Sequence, residues 1–458
     1  MLAALTMLLV RGAVVLTMDR AGSVIRDGAV LIEGDRIRAV GQATELAREP
    51  GIAQIIGGER HLVMPGLVNA HNHCFQTLYR GLGEGHPLAE WSARTVFPLS
   101  RWLTRVEAAA GAGLACLEMA LGGTTTFVDS HYIHIDGATF DGVAETVVAS
   151  GLRAVLGRAA IDGAAIPEVF REEPSVAERQ AERAIERWHG AAAGRVRVRP
   201  EALSERTATP AMIKAMAAVG RRTGTGFNMH LAESRQAAQH VRDTHGCSSL
   251  RLLERFDALG PDVLLAHCVW LDDDDLDLLA RSRTGVSHNP VSNQFLTVGV
   301  APVTGMVRRN AVVGLGTDGA VSNDSLDMFG VMKACGLLQK ITTGDAAAVP
   351  AERIVRMATI DGARAIGLGD ETGSLEAGKR ADLITLSLER PELTPLHRVY
   401  ESLVYAAGPA AVDTVMVDGR VIVDQGRMHT LDGPAVLSEA REAATRLATR
   451  AGLASLAG

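Results

Sequence analysis

From residue 61 onward, short strand-like segments rich in apolar residues alternate with longer helix-like segments. Eight strand segments follow this pattern, at residues 63–73, 124–129, 153–158, 195–200, 226–230, 263–267, 284–288 and 311–318. Eight strand–helix repeats over about 250 residues are typical of a (β/α)8 barrel. We therefore predict an α/β fold whose main domain is a TIM barrel over residues 61–372.

Strand-like segments without long helices between them lie on both sides of this region. Residues 1–60 carry several of them, broken by Asp and Gly, and residues 373–433 carry more, including 381–386 and 414–423. Neither set is long enough to form a domain alone. We predict that both chain ends build one small β-sandwich, and that residues 434–458 add a C-terminal helix.

The composition narrows the classes of partner. The chain of 458 residues has a net charge of −7 and only 4% aromatic residues, so it lacks the basic surface expected for nucleic acid or for an anionic membrane. No apolar run reaches the ~18 residues of a membrane span. The five cysteines are scattered and never spaced as C-x-x-C. They indicate free thiols in a reducing compartment, so we predict a cytoplasmic protein.

Five of the predicted strands finish on a histidine or an aspartate, namely His73, His230, His267, His288 and Asp318. Catalytic groups of such barrels lie at the C-terminal ends of the strands. His71 and His73 are two residues apart on one strand, so both project to the same side. His71, His73, His230 and Asp318 together offer three imidazole nitrogens and one carboxylate, a set that suits Zn²⁺ or Fe²⁺ better than Mg²⁺.

Glu233 follows His230 by three residues, within reach of a water molecule activated by such a metal. A carboxylate there can transfer a proton from the water to a substrate nitrogen. The alternative is that Glu233 lies in the first turn of the next helix and only favours the helix dipole. His267 is placed to hydrogen-bond the water or to stabilise developing negative charge. For His288, a structural role and a pocket-lining role are equally compatible with the sequence.

These residues lie in motifs that resemble the amidohydrolase superfamily, and most closely its branch of mononuclear aminohydrolases. The motifs occupy residues 65–73, 230–233, 266–268, 287–293, 315–319 and 373–383. The resemblance implies one divalent metal ion, Zn²⁺ or alternatively Fe²⁺, held by His71, His73, His230 and Asp318. It also implies hydrolytic deamination, in which Glu233 shuttles protons, His267 assists the water and Asp318 takes a proton from it.

The resemblance leaves the substrate open, and five residues are candidates to bind it. Gln76, Trp91 and Arg158 could contact a ring edge, a ring face and a carbonyl or carboxylate, and Glu201 and His288 could line the pocket. For each of them a purely structural role is about as compatible with the sequence. We expect a small heterocyclic substrate, and a homodimer from symmetry statistics.

Two departures bear on the choice of substrate. The related nucleoside deaminases carry a ribose-binding glutamate where this chain has Ser100, and a Pro-His pair where it has Pro200 and Glu201. Both changes favour a free purine, pterin, pyrimidine or triazine-like ring. The alternatives are deamination of S-adenosylhomocysteine, methylthioadenosine or adenosine, and removal of chloride or an alkylamine from an s-triazine.

Overall fold

The computed structural model describes residues 7–453. Across these residues the strands form two eight-stranded sheets. The strands are β1 Met7–Leu16, β2 Val24–Glu33, β3 Arg36–Gln42, β4 Ile52–Pro65, β5 Leu67–Asn72, β6 Thr124–His131, β7 Arg153–Ala160, β8 Val196–Ser204, β9 Phe227–Leu231, β10 Val263–His267, β11 Gly285–His288, β12 Val312–Leu315, β13 Leu383–Ser387, β14 Val412–Val417, β15 Arg420–Asp424 and β16 Arg427–Met428.

Most of the long helices follow strands of the second sheet, as the alternating pattern predicts. The α-helices are α1 Ala43–Leu46, α2 Leu88–Trp91, α3 Phe97–Ser100, α4 Arg105–Leu121, α5 Thr139–Ser150, α6 Pro174–Trp188, α7 Pro210–Thr223, α8 Arg235–His245, α9 Ser249–Arg255, α10 Asp273–Ser282, α11 Pro290–Phe295, α12 Val303–Arg308, α13 Met328–Thr343, α14 Ala351–Met357, α15 Ile360–Ala365, α16 Val399–Tyr405 and α17 Gly433–Arg450. No helix within residues 7–453 is long and apolar enough to cross a membrane.

The eight strands β5 to β12 pair in parallel and in chain order. The ends of the first and last strands meet, because the Asp318 amide donates to the His71 carbonyl at 2.9 Å. Beside this bond, the Asn69 side chain donates to the Thr317 hydroxyl at 2.7 Å and accepts from the Thr317 amide at 3.0 Å. The predicted TIM barrel is confirmed, and its closure brings Asp318 next to the first strand.

The segment predicted as one strand, 63–73, is divided between the two sheets at Gly66. Pro65 ends β4 and pairs with Leu383 of the small sheet, whereas Leu67 begins the barrel. A Cβ atom on Gly66 would lie 2.1 Å from the Thr125 side chain, so only glycine fits where the strand passes between the sheets. The strand thus changes sheets at Gly66 rather than at the predicted boundary of residue 61.

Both chain ends contribute to the other sheet, whose order is β16-β15-β14-β13-β4-β1-β2-β3. Its pairs are antiparallel except for β1 and β4. The segment 414–423 is a hairpin of β14 and β15, because Asp418 and Gly419 have φ angles of +48° and +70° and turn the chain. The predicted C-terminal helix is α17. Residues 1–6 and 454–458 of the two predicted terminal segments lie outside the described residues.

The helical segment after the last barrel strands is interrupted between α14 and α15. The Ala358 carbonyl accepts a hydrogen bond from the Val68 amide at 2.8 Å, which takes it out of the helical pattern between α14 and α15. The second piece, α15, lies against the barrel, where a Cβ on Gly314 would be 2.8 Å from the Cα of Gly362. Two glycines therefore allow a helix to approach the last barrel strand closely.

An arginine at the start of β7 joins the barrel to the small sheet. Arg153 is 1% exposed, and its guanidinium donates to Asp382 at 2.7 and 3.1 Å and to Asp418 at 2.5 Å. Asp382 also accepts from the Asp418 amide at 2.8 Å. A buried charge needs such partners, so this cluster ties the two sheets in one orientation.

Candidate active site

The polar residues at the strand ends converge at one end of the barrel. The Nε2 atoms of His71 and His73 lie 3.4 and 3.3 Å from Oδ1 of Asp318. The Nε2 atom of His230 lies 3.3 Å from Nε2 of His73. The ligand atoms of His71, His73 and His230 all fall within 4.8 Å of one another, as do those of His71, His267 and Asp318.

Backbone carbonyls fix how two of these imidazoles face the centre. Nδ1 of His73 lies 2.7 Å from the Ser130 carbonyl, and Nδ1 of His230 lies 2.8 Å from the Leu203 carbonyl. A carbonyl only accepts, so each Nδ1 is the protonated nitrogen and each Nε2 turns a lone pair toward the centre. This is how histidine ligands are commonly oriented in metal sites.

Asp318 and His267 lie in backbone conformations that are rare for non-glycine residues. Their φ angles are +62° and +72°, which costs about 1–3 kcal/mol each. Asp318 Oδ2 accepts from the Ser292 hydroxyl at 2.5 Å, and His267 Nδ1 lies 2.9 Å from the amide oxygen of Asn293. Residues of α11 therefore hold both strained side chains in place.

The charges at this centre suit a cation. Burial lowers the pKa of His71 to about 3 and that of His230 well below its usual value, so both are neutral near pH 7. For Asp318, burial opposes ionisation, but the neighbouring imidazoles of His71 and His73 outweigh it and bring the pKa well below its usual value. Neutral imidazoles around an ionised carboxylate are the donors that Zn²⁺ or Fe²⁺ takes.

Two buried nitrogen atoms of this centre also lack a hydrogen-bond partner, Nε2 of His71 and Nε2 of His267. Buried polar atoms are normally satisfied, and an exception needs an explanation. A divalent ion among the converging ligand atoms satisfies this requirement for His71. The residues present therefore fit the metal ion that the sequence motifs imply.

Glu233 lies beside this centre and not inside a helix. Ser234 is the N-cap of α8, so Glu233 precedes the helix and is outside its first turn. Its Oε1 is 3.8 Å from Nε2 of His267, which in turn is 3.9 Å from Oδ2 of Asp318. Three groups that can exchange protons therefore face one another at this end of the barrel.

A pocket at this end of the barrel opens onto these groups. Its outer wall is apolar and is formed by Leu88, Trp91, Val96, Phe97, Leu203 and Leu296.

Two of the predicted substrate contacts, Gln76 and Trp91, line this pocket. The Gln76 amide nitrogen donates to the Tyr132 hydroxyl at 2.8 Å, while its Oε1 is buried without a partner. The Trp91 indole N–H donates to the Val321 carbonyl at 3.0 Å, so its ring is held as part of the wall.

Three other predicted substrate contacts do not line the pocket. Arg158 forms a two-pronged ion pair with Glu172 at 2.5 and 2.6 Å, and His288 is fully buried with neither ring nitrogen hydrogen-bonded. Glu201 lies behind the histidines, where its Oε1 accepts from the Ser130 hydroxyl at 2.6 Å and is 3.5 Å from Nδ1 of His230.

The reason for two of these differences is that the strands are longer than predicted. We placed Arg158 and Pro200 at strand ends, but β7 continues to Ala160 and β8 to Ser204. Arg158 and Glu201 are therefore interior strand residues, and neither side chain reaches the rim of the pocket.

The pocket also contains residues that we did not predict, notably Tyr132 and Arg206. Tyr132 directly follows the last residue of β6, and Arg206 lies two residues after the end of β8. Both occupy the position that barrels use for binding groups. Had the ends of β6 and β8 been predicted correctly, the same rule would have identified both residues as pocket candidates.

Known proteins resemble this chain over nearly its whole length. The sequence profile of the amidohydrolase family matches residues 62–422. The chain is 38% identical over 445 residues to a 5'-deoxyadenosine deaminase of Methanosarcina acetivorans, covering 97% of this chain and 99% of that protein. It is 37% identical over 444 residues to a 5-methylthioadenosine/S-adenosylhomocysteine deaminase of Pelotomaculum thermopropionicum, with the same coverage.

Solved structures show the same architecture. An adenosine deaminase from Xanthomonas campestris with bound zinc superposes with a TM-score of 0.89 at 28% identity, covering 96% of this chain and 98% of the other. An atrazine chlorohydrolase from Arthrobacter aurescens, complexed with zinc, gives a TM-score of 0.89 at 23% identity over 95% and 100% of the two chains, and it supports the fold alone. The resemblance seen in the motifs is confirmed: the chain belongs to the amidohydrolase family.

Proposed function

We propose that this protein is a metal-dependent deaminase that removes the 6-amino group of an adenosine-type nucleoside as ammonia. The observation that carries this proposal is the meeting of Glu233, His267 and Asp318 beside the cluster of His71, His73 and His230 at one pocket. The full-length relatives named as nucleoside deaminases support it. Hydrolytic deamination requires a site that activates water for attack and a side chain that transfers protons.

We assign His71, His73, His230 and Asp318 to one divalent ion, for which Zn²⁺ is our first choice and Fe²⁺ the alternative. When bound, such an ion lowers the pKa of water toward neutrality and polarises the substrate. The chain's own contribution is to hold three lone pairs and one carboxylate in a fixed arrangement. The carbonyls of Ser130 and Leu203 maintain it for His73 and His230.

The proton transfers fall to Glu233 and Asp318. When water adds to the ring carbon, a C–O bond forms and both protons of the water are transferred. Glu233 passes one of them to the adjacent ring nitrogen, and Asp318 accepts the other and returns it to the amine, so that the C–N bond breaks as the C=O bond forms and ammonia leaves. His267, held at Nδ1 by Asn293, turns Nε2 toward Glu233 and Asp318, where it can stabilise negative charge that develops on the oxygen.

A free heterocyclic base is the second candidate substrate. Two observations favour it: Gln76 lines the pocket and its Oε1 lacks a hydrogen-bond partner, and Ser100 is fully buried against the Tyr79 hydroxyl at 3.2 Å. Ser100 therefore offers nothing to a ribose. The sequence alone favoured this substrate, whereas the named relatives favour the nucleoside, and we place the nucleoside first for that reason.

The test is ammonia release by Zn²⁺-loaded protein. We would compare 5'-deoxyadenosine, methylthioadenosine, S-adenosylhomocysteine and adenosine with guanine, 8-oxoguanine, cytosine and melamine. We expect turnover of nucleosides and a loss of at least ~100-fold in kcat for Glu233→Gln, because general acid–base catalysis contributes about that much. Glu90→Gln, an exposed carboxylate next to Trp91, is the matched control and should retain activity.

Several results would contradict these assignments. Ammonia from the free bases alone would replace the nucleoside by the second candidate. Chloride or alkylamine from substituted triazines, without ammonia from any purine, would replace deamination by the triazine reaction. Normal turnover by Zn²⁺-loaded Glu233→Gln protein would refute the role of Glu233.

We also propose a homodimer in the cytoplasm. The location is supported by the five cysteines, which are all free thiols and of which four are buried. The dimer is supported only by the prevalence of twofold symmetry among soluble oligomers. Light scattering of the purified protein tests it.

A further inference from the structure

We propose that Arg206 binds an anionic group, a carboxylate or a phosphate, on the part of the substrate remote from the reacting amine. This inference rests on the proposed nucleoside function and specifies its substrate class. For an adenosine-type substrate, the remote part is the 5' position of the sugar. Three observations carry the inference: the place of Arg206, its unused hydrogen-bond donors and the charge of the groove beside it.

Arg206 stands where the catalytic pocket joins a second cavity. It lines the pocket together with Glu233, His230 and His267. It also lines an adjoining open cavity, which we call the lateral groove and define by Phe97, Arg101, Trp102, Ile166, Phe170, Arg206 and Arg450. Ser92, Phe97 and Arg206 border both spaces, so Arg206 lies where the two adjoin.

The guanidinium of Arg206 has hydrogen-bond donors to spare. No carboxylate oxygen of residues 7–453 lies within 4.0 Å of it, and its side-chain hydrogen bond is a long one of 3.4 Å to the Ser92 hydroxyl. A guanidinium carries five N–H donors in a fork that matches carboxylate or phosphate. Arg158, by contrast, is fully committed to Glu172.

The lateral groove is positive although the chain as a whole is negative. Arg101 and Arg450 share it with Arg206, whereas Glu168 is the acidic residue that lines it. The guanidinium of Arg101 lies over the Trp102 ring at 5.4 Å. A cleft of one sign with apolar walls concentrates ligands of the opposite sign, even on a chain of net charge −7.

Together these features fit a nucleoside whose 5' substituent ends in an anion. A phosphate attached directly to the sugar would meet Arg206 itself. A carboxylate on a longer apolar chain would lie along Phe97 and Trp102, within the reach of Arg101 as well. A neutral 5' substituent would leave Arg206 unused, so the arginine favours the charged substrates.

The experiment measures equilibrium binding to Zn²⁺-loaded Glu233→Gln protein, which removes turnover. The probes are adenosine 5'-monophosphate and S-adenosylhomocysteine as anionic ligands, and 5'-deoxyadenosine as the neutral reference. We expect Arg206→Met to lower the ratio of anionic to neutral affinity by about 10- to 100-fold, the usual effect of removing a charge-assisted hydrogen bond. Arg206→Lys should retain part of the preference, because it keeps the charge without the fork.

Arg235→Met is the matched control. Arg235 lies over the Trp270 ring, in a different cavity that also reaches Arg206. We expect it to leave the ratio unchanged, and a fall in the ratio for Arg235→Met alone would overturn the assignment to the lateral groove. The phosphate and carboxylate probes distinguish the two sources of the anion.

The outcomes separate this inference from the proposed function. Equal affinity for neutral and anionic nucleosides, with no change in the ratio for Arg206→Met, would refute the role of Arg206 while deamination stands. Failure to bind any nucleoside, together with ammonia release from free bases, would refute both. A selective loss of one anionic ligand in Arg206→Met would support the inference and identify the anion.

Discussion

Glu201 is a carboxylate that the sequence placed in the pocket and the structure places behind the histidines, and replacing it by glutamine tests which position matters. The side chain is 1% exposed, and it connects to both imidazoles. It accepts from the Ser130 hydroxyl, while the carbonyl of Ser130 holds His73, and it lies 3.5 Å from Nδ1 of His230. Gly157 leaves room for it, because a Cβ there would be 2.2 Å from Glu201 Oε2.

The expected size of the effect follows from these contacts. Glutamine keeps the shape and one acceptor but removes a negative charge close to a site for a divalent cation. Groups that orient metal-binding histidines typically contribute 10- to 100-fold to metal affinity. We therefore expect Glu201→Gln to weaken Zn²⁺ binding by that factor, or about 1.4–2.7 kcal/mol. The KM for the best substrate should change less than about threefold, because Glu201 does not line the pocket.

The assay is competition for Zn²⁺ with a chelator of known affinity. Burial raises the pKa of Glu201 to about 7, so the titration belongs at pH 8, where the carboxylate is ionised. Glu107→Gln is the control, since Glu107 is a buried carboxylate that pairs with Arg446 on the outside of the barrel. An unchanged Zn²⁺ affinity with a tenfold rise in KM would refute this reasoning and restore Glu201 as a substrate contact.

Three further predictions concern stability and metal dependence. Arg153→Met should lower the free energy of unfolding by about 3–5 kcal/mol, because it leaves the buried carboxylates of Asp382 and Asp418 without a counter-charge, and urea titration measures this. His131 has a pKa lowered to about 3 by burial, so below pH 6.5 the unfolded chain binds a proton that the folded chain does not. Acidification from pH 6.5 to 5 should therefore cost about 2 kcal/mol through this residue. His131→Asn should remove that part of the pH dependence, and an unchanged slope of stability against pH would contradict the assignment. Removal of metal by a chelator should abolish ammonia release, and Zn²⁺ should restore it; full activity with less than 0.1 metal ion per chain, an order-of-magnitude limit, would refute a metal requirement.

The barrel was predictable because its strands are buried on both faces and bounded by polar residues. Strand β10 runs from Val263 to His267, as predicted, since Gly260 and Pro261 precede it and a polar end follows. The convergence of His71, His230 and Asp318 followed from the barrel itself, which brings all strand ends to one rim. For these residues, a place at the end of a barrel strand in the sequence is enough to predict a place at the rim.

The substrate contacts were harder to predict because side-chain direction depends on where a strand ends. Strand β8 continues past Pro200, and its pairing with β9 shifts register between Glu201 and Ser204. A shift of this kind changes which face each residue occupies. The partner of Arg158, Glu172, lies in a loop whose path no local pattern reveals. Arg206 was missed because β8 ends at Ser204, later than the predicted end at residue 200.

The passage of one strand through Gly66 from sheet to sheet has a consequence for the order of folding. Strand β4 pairs with β13, and the entire barrel lies between them in the sequence. Because pairings distant in sequence form slowly, we expect the barrel to assemble first and the small sheet to close around β4 last. Asp382 and Asp418 reach Arg153 only in that last step, so we expect the buried ion cluster to form at the end of folding.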